Sequence, residues 1–358
     1  MKKNNKNLIL NLNKNYKFLF NKISSLNGYF ISGLIQADGS FNINFRKGKK
    51  VKLWVGSRFS ITQQKKDIFL LECIKEYFNT GFIVKNRKDN TIVYEVNNLK
   101  DLINIIIPHF EKYPLRSNKN NSFLIFSYIT KKVYNKEHYN IEELYKIINL
   151  VFYMNPFSKR KINKNEYLRY LNQNEINFIK NEKIYIQKYN EIISTFKSNK
   201  LNVQFIKGLF QGDGCISINY SLKGKISFNF SIVQDIHNYK VLEELKEFFN
   251  CGNISKIYRN SAIFYVTKID SLKNNIFPYF FIDDKYLDIL TLKKEQLIKI
   301  KTIFDLYLKI KNNINKDNIS NLEIYRYRNL FFKLVNIGYN INKPRKISKE
   351  EYLKNLKI

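Results

Sequence analysis

A chain of 358 residues with 44% hydrophobic and 15% aromatic residues has apolar material for about two domains at roughly 150 residues each. Its 62 basic against 30 acidic residues give a formal charge of +32, far beyond what solubility asks, so the partner is a polyanion, with nucleic acid ahead of an anionic membrane. No apolar run approaches the ~18–20 residues of a spanning helix, and Cys73, Cys215, Cys251, His109, His138 and His237 show neither C-x-x-C nor H-x-H spacing, which argues against a zinc site, a disulfide framework or histidine-based hydrolysis.

Carboxylates must therefore carry any chemistry. Alanine occurs twice in the chain while Asn, Lys, Ile, Phe and Tyr dominate, a bias toward AT-rich codons that points to an organellar, mitochondrial gene. Residues 1–37 lack Asp and Glu, as a transit peptide does, but they also lack Arg; residues 1–24 read as a basic N-terminal arm.

The next segment, residues 25–155, opens with a helix from Leu26 to Ala37 that ends at Asp38-Gly39, glycine being a common helix stop. A strand follows in SFNINFR, where Phe41, Ile43 and Phe45 share one face and Asn42, Asn44 and Arg46 the other. FSITQQKKDIFLLECIKEYFNTGFI (59–83) then gives a strand, an amphipathic helix and an Asn-x-Gly stop. YNIEELYKIINLVFYMN (139–155) is a further helix. Residues 156–200 are Lys- and Asn-rich and read as a solvated, partly helical linker.

Residues 201–310 repeat the pattern. GLIQADGSFNINF (33–45) returns as GLFQGDGCISINY (208–220), and FSIVQDIHNYKVLEELKEFFNCGNI (230–254) answers 59–83 with the same Phe-Ser-Ile-x-Gln and Asn-x-Gly. In KISFNFS, Ile226, Phe228 and Phe230 oppose Lys225, Ser227, Asn229 and Ser231. The chain is an internal duplication, each copy reading helix, two strands, helix, two strands, helix; residues 311–358 read as a solvated basic tail.

Small residues four apart, Gly33 with Ala37 and Gly208 with Gly212, would let the helix ending at Asp38 and its counterpart, Val203 to Gly212, approach closely and place both acids side by side. An acid at a helix C-terminus faces the negative end of the dipole, and a neighbouring acid adds to the conflict. A divalent cation removes it, and hard oxygen ligands suit magnesium. Acids, metal and a basic sheet together imply metal-assisted phosphodiester hydrolysis.

FISGLIQADGSF and FIKGLFQGDGCI resemble the two signature motifs of the LAGLIDADG homing endonucleases in their monomeric, two-repeat form, over roughly residues 27–155 and 202–305. The resemblance implies an α+β fold of two pseudo-symmetric αββαββα units, each with a four-stranded antiparallel sheet, joined through the motif helices into a DNA-binding saddle. It implies that Asp38 and Asp213, with the carbonyls of Ala37 and Gly212, hold two or three Mg²⁺ ions, Mn²⁺ or Ca²⁺ substituting in binding. It assigns water placement to Gln63 and Gln234 and a cation near each scissile phosphate to Lys119 and Lys285, although the path from Pro278 to Lys285 is shorter than that from Pro108 to Lys119.

The same resemblance places Asn42, Asn44, Arg46, Lys52, Arg58, Lys85 and Arg87 of the first unit on double-stranded DNA. Ser217, Asn219, Lys225, Ser227, Asn229, Lys256 and Arg259 are their counterparts in the second. Gln36 and Gln211 replace an acid of the family motif. Ser32 and Lys207 replace a small apolar residue, and Lys207 is expected to turn toward solvent or the sheet edge. The activity implied is site-specific, Mg²⁺-dependent double-strand DNA cleavage by an intron-encoded monomer. The alternatives are an RNA maturase acting on its own intron RNA, and a non-catalytic DNA-binding regulator.

Overall fold

The computed structural model describes residues 26–47, 53–85, 89–154, 164–168, 182–194, 200–220, 226–281, 291–314, 329, 332–338 and 348–355. The chain divides into two compact units, Met1–Gly208 and Leu209–Ile358. Among the described residues no helix is long and apolar enough to cross a membrane.

In the first unit Asn27 caps the first motif helix, Gly28–Asp38, its side chain accepting from the Tyr29 amide at 2.9 Å. Strand β1 (Gly39–Lys47) begins on the next residue, with no loop between. It pairs with β2 (Leu53–Gln64), followed by a helix Ile68–Phe78, β3 (Phe82–Val84) and β4 (Thr91–Val96). The sheet is antiparallel in the order β1-β2-β4-β3. The period-two expectation holds: Phe41, Ile43 and Phe45 are buried while Asn44 and Arg46 are exposed.

Beneath the sheet Phe41 packs on Phe59, Phe110 and Phe126 with ring centroids 5.4, 5.3 and 5.2 Å away. Phe110 belongs to Ile107–Lys112, and Phe126 to the long helix Ser117–Tyr134. The helical path runs through Pro108 because a wider turn, Leu102–Ile106, precedes it. Such a turn accommodates a residue that has no N–H to give the turn below. The second unit repeats the device at Leu272–Ile276 before Pro278.

That second sheet has the order β5-β6-β8-β7, from β5 (Gly214–Tyr220), β6 (Ile226–Asp235), β7 (Asn253–Ile254) and β8 (Ser261–Val266). Phe210 of the second motif helix, Val203–Asp213, stacks on Phe230 at 5.1 Å, and Phe280 closes the cluster. The repeated Asn-x-Gly is a left-handed stop in both units: Asn79 and Asn250 have φ of 49° and 48°, Gly81 and Gly252 of 76° and 87°.

Four findings refine the expectations. The first motif helix ends at Asp38-Gly39 as expected, with Gly39 extended at φ and ψ of −79° and 156°. What it supplies is space, because a Cβ would lie 2.7 Å from the Ile35 carbonyl oxygen, and Gly214 is crowded in the same way by Phe210. Second, described parts of the linker pack on the first unit: Tyr167 lies against Phe45 at 4.8 Å, and Tyr189 of the helix Glu182–Ser194 stacks on Tyr153 at 5.0 Å.

Third, the tail is not all solvated. Leu334 and Val335 are buried, Tyr352 is 2% exposed against Tyr220, and the Tyr220 hydroxyl donates to the Leu334 carbonyl at 3.1 Å. Fourth, Lys207, expected to turn toward solvent or the sheet edge, is buried and does not turn to solvent. The close approach read from small residues is present at Gly208, where a Cβ would overlap the Phe30 carbonyl oxygen. Gly33 is itself buried, while Ala37 and Gly212 are half-buried.

Because Tyr352 fills a core position, Tyr352→Ala is expected to destabilise the second unit by about 3 kcal/mol in urea unfolding. A solvated tail would give under about 0.5 kcal/mol.

Candidate active site

Each motif helix ends on its acid, and each following strand aligns a glutamine with it. Gly39 pairs with Ile61, so Gln63 continues β2 past the helix end, and its Nε2 donates to Asp38 Oδ2 at 2.7 Å. In the second unit Gly214 pairs with Ile232, and Gln234 Nε2 donates to Asp213 Oδ2 at 2.6 Å. A second bond from Gln234, to the Val233 carbonyl at 2.9 Å, fixes the amide further. Both carboxylates are thus oriented by an amide on the same register position of the second strand.

Lys119 stands in the first turn of Ser117–Tyr134 and donates to the Gly39 carbonyl at 2.7 Å. The segment leading to it is tied to the first motif helix by the two residues that depart from the family motif. Ser32 Oγ donates to the Tyr113 carbonyl at 2.6 Å, and Gln36 Oε1 accepts from the Arg116 amide at 2.9 Å. Arg116, itself buried, donates to the Lys200 carbonyl at 2.9 Å and lies over the Phe205 ring. The departures therefore hold the lysine-bearing loop.

Lys285 lies outside the described residues, as do Lys52, Arg87 and Lys225. In the second unit the lysine found at the helix end is Lys293, in the helix Thr291–Ile314. Its Nζ donates at 2.8 Å to each of the Phe210, Gln211 and Gly212 carbonyls. These are orphan carbonyls of a helix C-terminus, the negative end of its dipole. The lysine ammonium seated on them caps the helix end and offsets its dipole. Sequence reading passed over Lys293 because one lysine in a Lys-rich helix, far from the motif, carries no local signal.

The donor set suits a hard divalent ion: a carboxylate and backbone carbonyls, all oxygen. Among the described residues no group of three His, Cys, Asp or Glu side chains forms a closed metal cage. A site of this kind would be completed by waters and substrate phosphate oxygens, the usual situation for Mg²⁺. The histidine and thiol nearest the first unit's core are structural. Burial lowers the pKa of His109 to about 3, with Tyr77 Oη 3.2 Å from its Nδ1. Burial also raises the Cys73 thiol to about 12.

The outer faces of the sheets are polar but not wholly so. Asn42 is the cross-strand partner of Arg58, Asn44 of Gly56, and Arg46 of Trp54, whose ring centroid is 5.4 Å from the guanidinium carbon. Arg58 is held by Glu95 at 3.3 Å, and Lys85 lies 3.8 Å from Glu72. In the second unit Ser217 pairs with Asn229 and Asn219 with Ser227, while Lys256 and Arg259 are exposed near the turn into β8. Trp54, Val233 and Ile263 were not anticipated there. All three are exposed, and Val233 and Ile263 are cross-strand partners. Their strand parity was the available signal, since Val233 alternates with the buried Ile232.

The family model described as LAGLIDADG endonuclease matches residues 31–130 and 206–304. The chain belongs to this family. It is 34% identical over 266 residues to "Probable intron-encoded endonuclease 2" of Neurospora crassa, a match covering 72% of this chain and 56% of that one. Over 255 residues it is 26% identical to "Probable intron-encoded DNA endonuclease 1" of Mycosarcoma maydis, covering 70% and 91%. The chain thus spans little more than half the length of the Neurospora relative. Among solved structures it is similar to the LAGLIDADG homing endonuclease I-GzeII in complex with its DNA target, with a TM-score of 0.67, 26% identity and coverage of 90% and 100%.

The buried His109 gives the fold an acid limit. Its pKa is lowered from about 6.5 to about 3 in the native state, so below pH 6.5 the unfolded chain binds a proton that the folded chain refuses. Stability is full above the unfolded value and is lost as pH falls, by about 1.4 kcal/mol per pH unit. Unfolding free energies from urea titrations should fall as pH drops from about 6.5 to 5, and His109→Gln should reduce the fall, the buried His138 contributing the remainder.

Proposed function

We propose that this chain is a site-specific homing endonuclease that cleaves both strands of a long, asymmetric DNA target, one phosphodiester per unit. The observation that carries the reading is the duplicated pair of a helix-terminal carboxylate and a strand amide, Asp38 with Gln63 and Asp213 with Gln234. Each pair stands at the start of a sheet whose outer face bears amides, hydroxyls and basic groups. Family membership, intron-encoded fungal relatives and a DNA-bound structural neighbour support it.

The two sheets differ residue by residue on their outer faces, so the two half-sites differ and a single chain suffices. Two-stranded ribbons fit the major groove, where Asn44, Arg46, Ser217 and Asn219 meet base edges, and Val233 with Ile263 suits thymine methyl groups. Lysines outside the grooves bind phosphate and make affinity salt-dependent.

A divalent ion, Mg²⁺ by donor type, held by Asp38 or Asp213 with the adjoining carbonyl, would supply a water of lowered pKa and a Lewis acid for the leaving oxygen. Gln63 and Gln234 keep each carboxylate in one orientation and present amide oxygens that position water. Lys119 and Lys293 set a positive charge beside each helix end, where the negative charge of the attacked phosphate grows. The AT-rich composition and the intron-encoded relatives support a gene in a mitochondrial intron.

Asp38→Asn and Asp213→Asn should each lower double-strand cleavage at least about a hundredfold while leaving the affinity for target DNA unchanged in a gel-shift titration. Cleavage of a randomised duplex library with Mg²⁺, and its absence with EDTA, identifies the target. Undiminished cutting by both variants would overturn the assignment.

A further inference from the structure

Strand β4 pairs with β2 only from Phe59 to Gln64, so the stretch Leu53–Arg58 has β1 on one side and no strand on the other among the described residues. A cavity of about 550 Å³ occupies that edge. Its front is the outer face of the sheet, at Trp54 and Arg58, and its rear is the end of the helix Ser117–Tyr134 with the turn that follows, at Tyr134, Lys136, His138 and Tyr139.

Three large aromatic side chains in the lining are left in water: Trp54 is 47% exposed, Tyr134 41% and Tyr139 60%. Two buried polar atoms in the same wall, Arg58 Nε and His138 Nδ1, have no hydrogen-bond partner among the described residues. His138 is 7% exposed. Its ring is bonded to the backbone at Lys132, and burial lowers its pKa. The ring is therefore neutral at pH 7, and Nδ1 is an acceptor. A buried donor and a buried acceptor left unmatched are costly unless a ligand meets them.

A base pair in a duplex offers only edges, its faces being stacked, and cannot enter a cavity. A single nucleotide fits this volume, which lies within the range of small-ligand pockets. Aromatic faces stack bases of any sequence, and Arg and Lys take the phosphate. We propose that this cavity binds one unstacked nucleotide of a single-stranded stretch, the base on Tyr134, Tyr139 and Trp54, its polar edge on Arg58 Nε and His138 Nδ1, and its phosphate on Lys136. The inference rests on the nucleic-acid reading above and adds to it a strand that is not paired. The strand has two possible sources, RNA and locally opened DNA.

Trp54 is the only tryptophan of the chain, so its fluorescence reports on the cavity directly. The test titrates the full chain with a short unstructured oligoribonucleotide, its deoxy counterpart and a duplex of the same sequence. Single strands should quench Trp54, and Tyr139→Ala and Tyr134→Ala should weaken their binding about tenfold, as loss of a stacked base does, with duplex affinity unchanged. His138→Phe should weaken the same binding and leave the circular dichroism spectrum intact. Preference for the ribo-oligomer assigns the strand to RNA through its 2′-hydroxyls, and equal response assigns it to either strand chemistry; both support the cavity. Single-strand binding that none of the three variants alters overturns it, as does binding of duplex alone, which leaves the endonuclease reading standing. Failure of every nucleic acid to bind overturns both.

Discussion

An aspartate as the last residue of a helix, followed at once by a strand, is the constraint around which each unit is arranged. The carboxylate sits where the helix dipole is negative, and the chain cannot retreat, because Gly39 and Gly214 begin their strands with no intervening loop. Everything near those points compensates. Amides of Gln63 and Gln234 donate to the carboxylates, Lys119 takes the Gly39 carbonyl, and Lys293 takes three carbonyls of the second motif helix. The negative end of each motif helix is thus met by donors from the neighbouring strand and helix.

The two units meet the constraint differently. In the first, Ser32 and Gln36 face the loop Tyr113–Arg116 and draw the lysine-bearing helix against the motif helix by hydrogen bonds of 2.6 and 2.9 Å. In the second, the lysine arrives from Thr291–Ile314, beyond residues 282–290, and reaches the helix end itself. Duplication has preserved the acid, the amide and the sheet order while letting the supporting contacts diverge.

Much of this was legible in the sequence because it depends on local periodicity. The alternation in SFNINFR and KISFNFS set the faces of β1 and β6, the repeated Asn-x-Gly marked left-handed helix stops, and the doubled Gln-x-Asp-Gly located both acids. What stayed hidden depends on long-range contact. The packing of Tyr352 on Tyr220 and of Tyr167 on Phe45 joins segments with no shared pattern, so tail and linker read as solvated. Why the stop at residue 39 is a glycine depends on packing too, since Ile35 presses on the space a Cβ would take. Lys293 is one among many lysines until the fold brings it to three carbonyls.

The loopless passage from helix to strand also bears on which changes of sequence each unit can absorb. Substitution on the outer face of β1 or β2 alters the chemistry that face presents and leaves Asp38 and Gln63 where they are, since those side chains belong to a different contact. Insertion or deletion of one residue within β1 or within β2 would instead turn the rest of that strand over, sending Phe41 or Phe59 to water. The fold is open to drift by replacement and closed to drift in length along these strands. The outer face can therefore change one side chain at a time without disturbing the acid–amide pair.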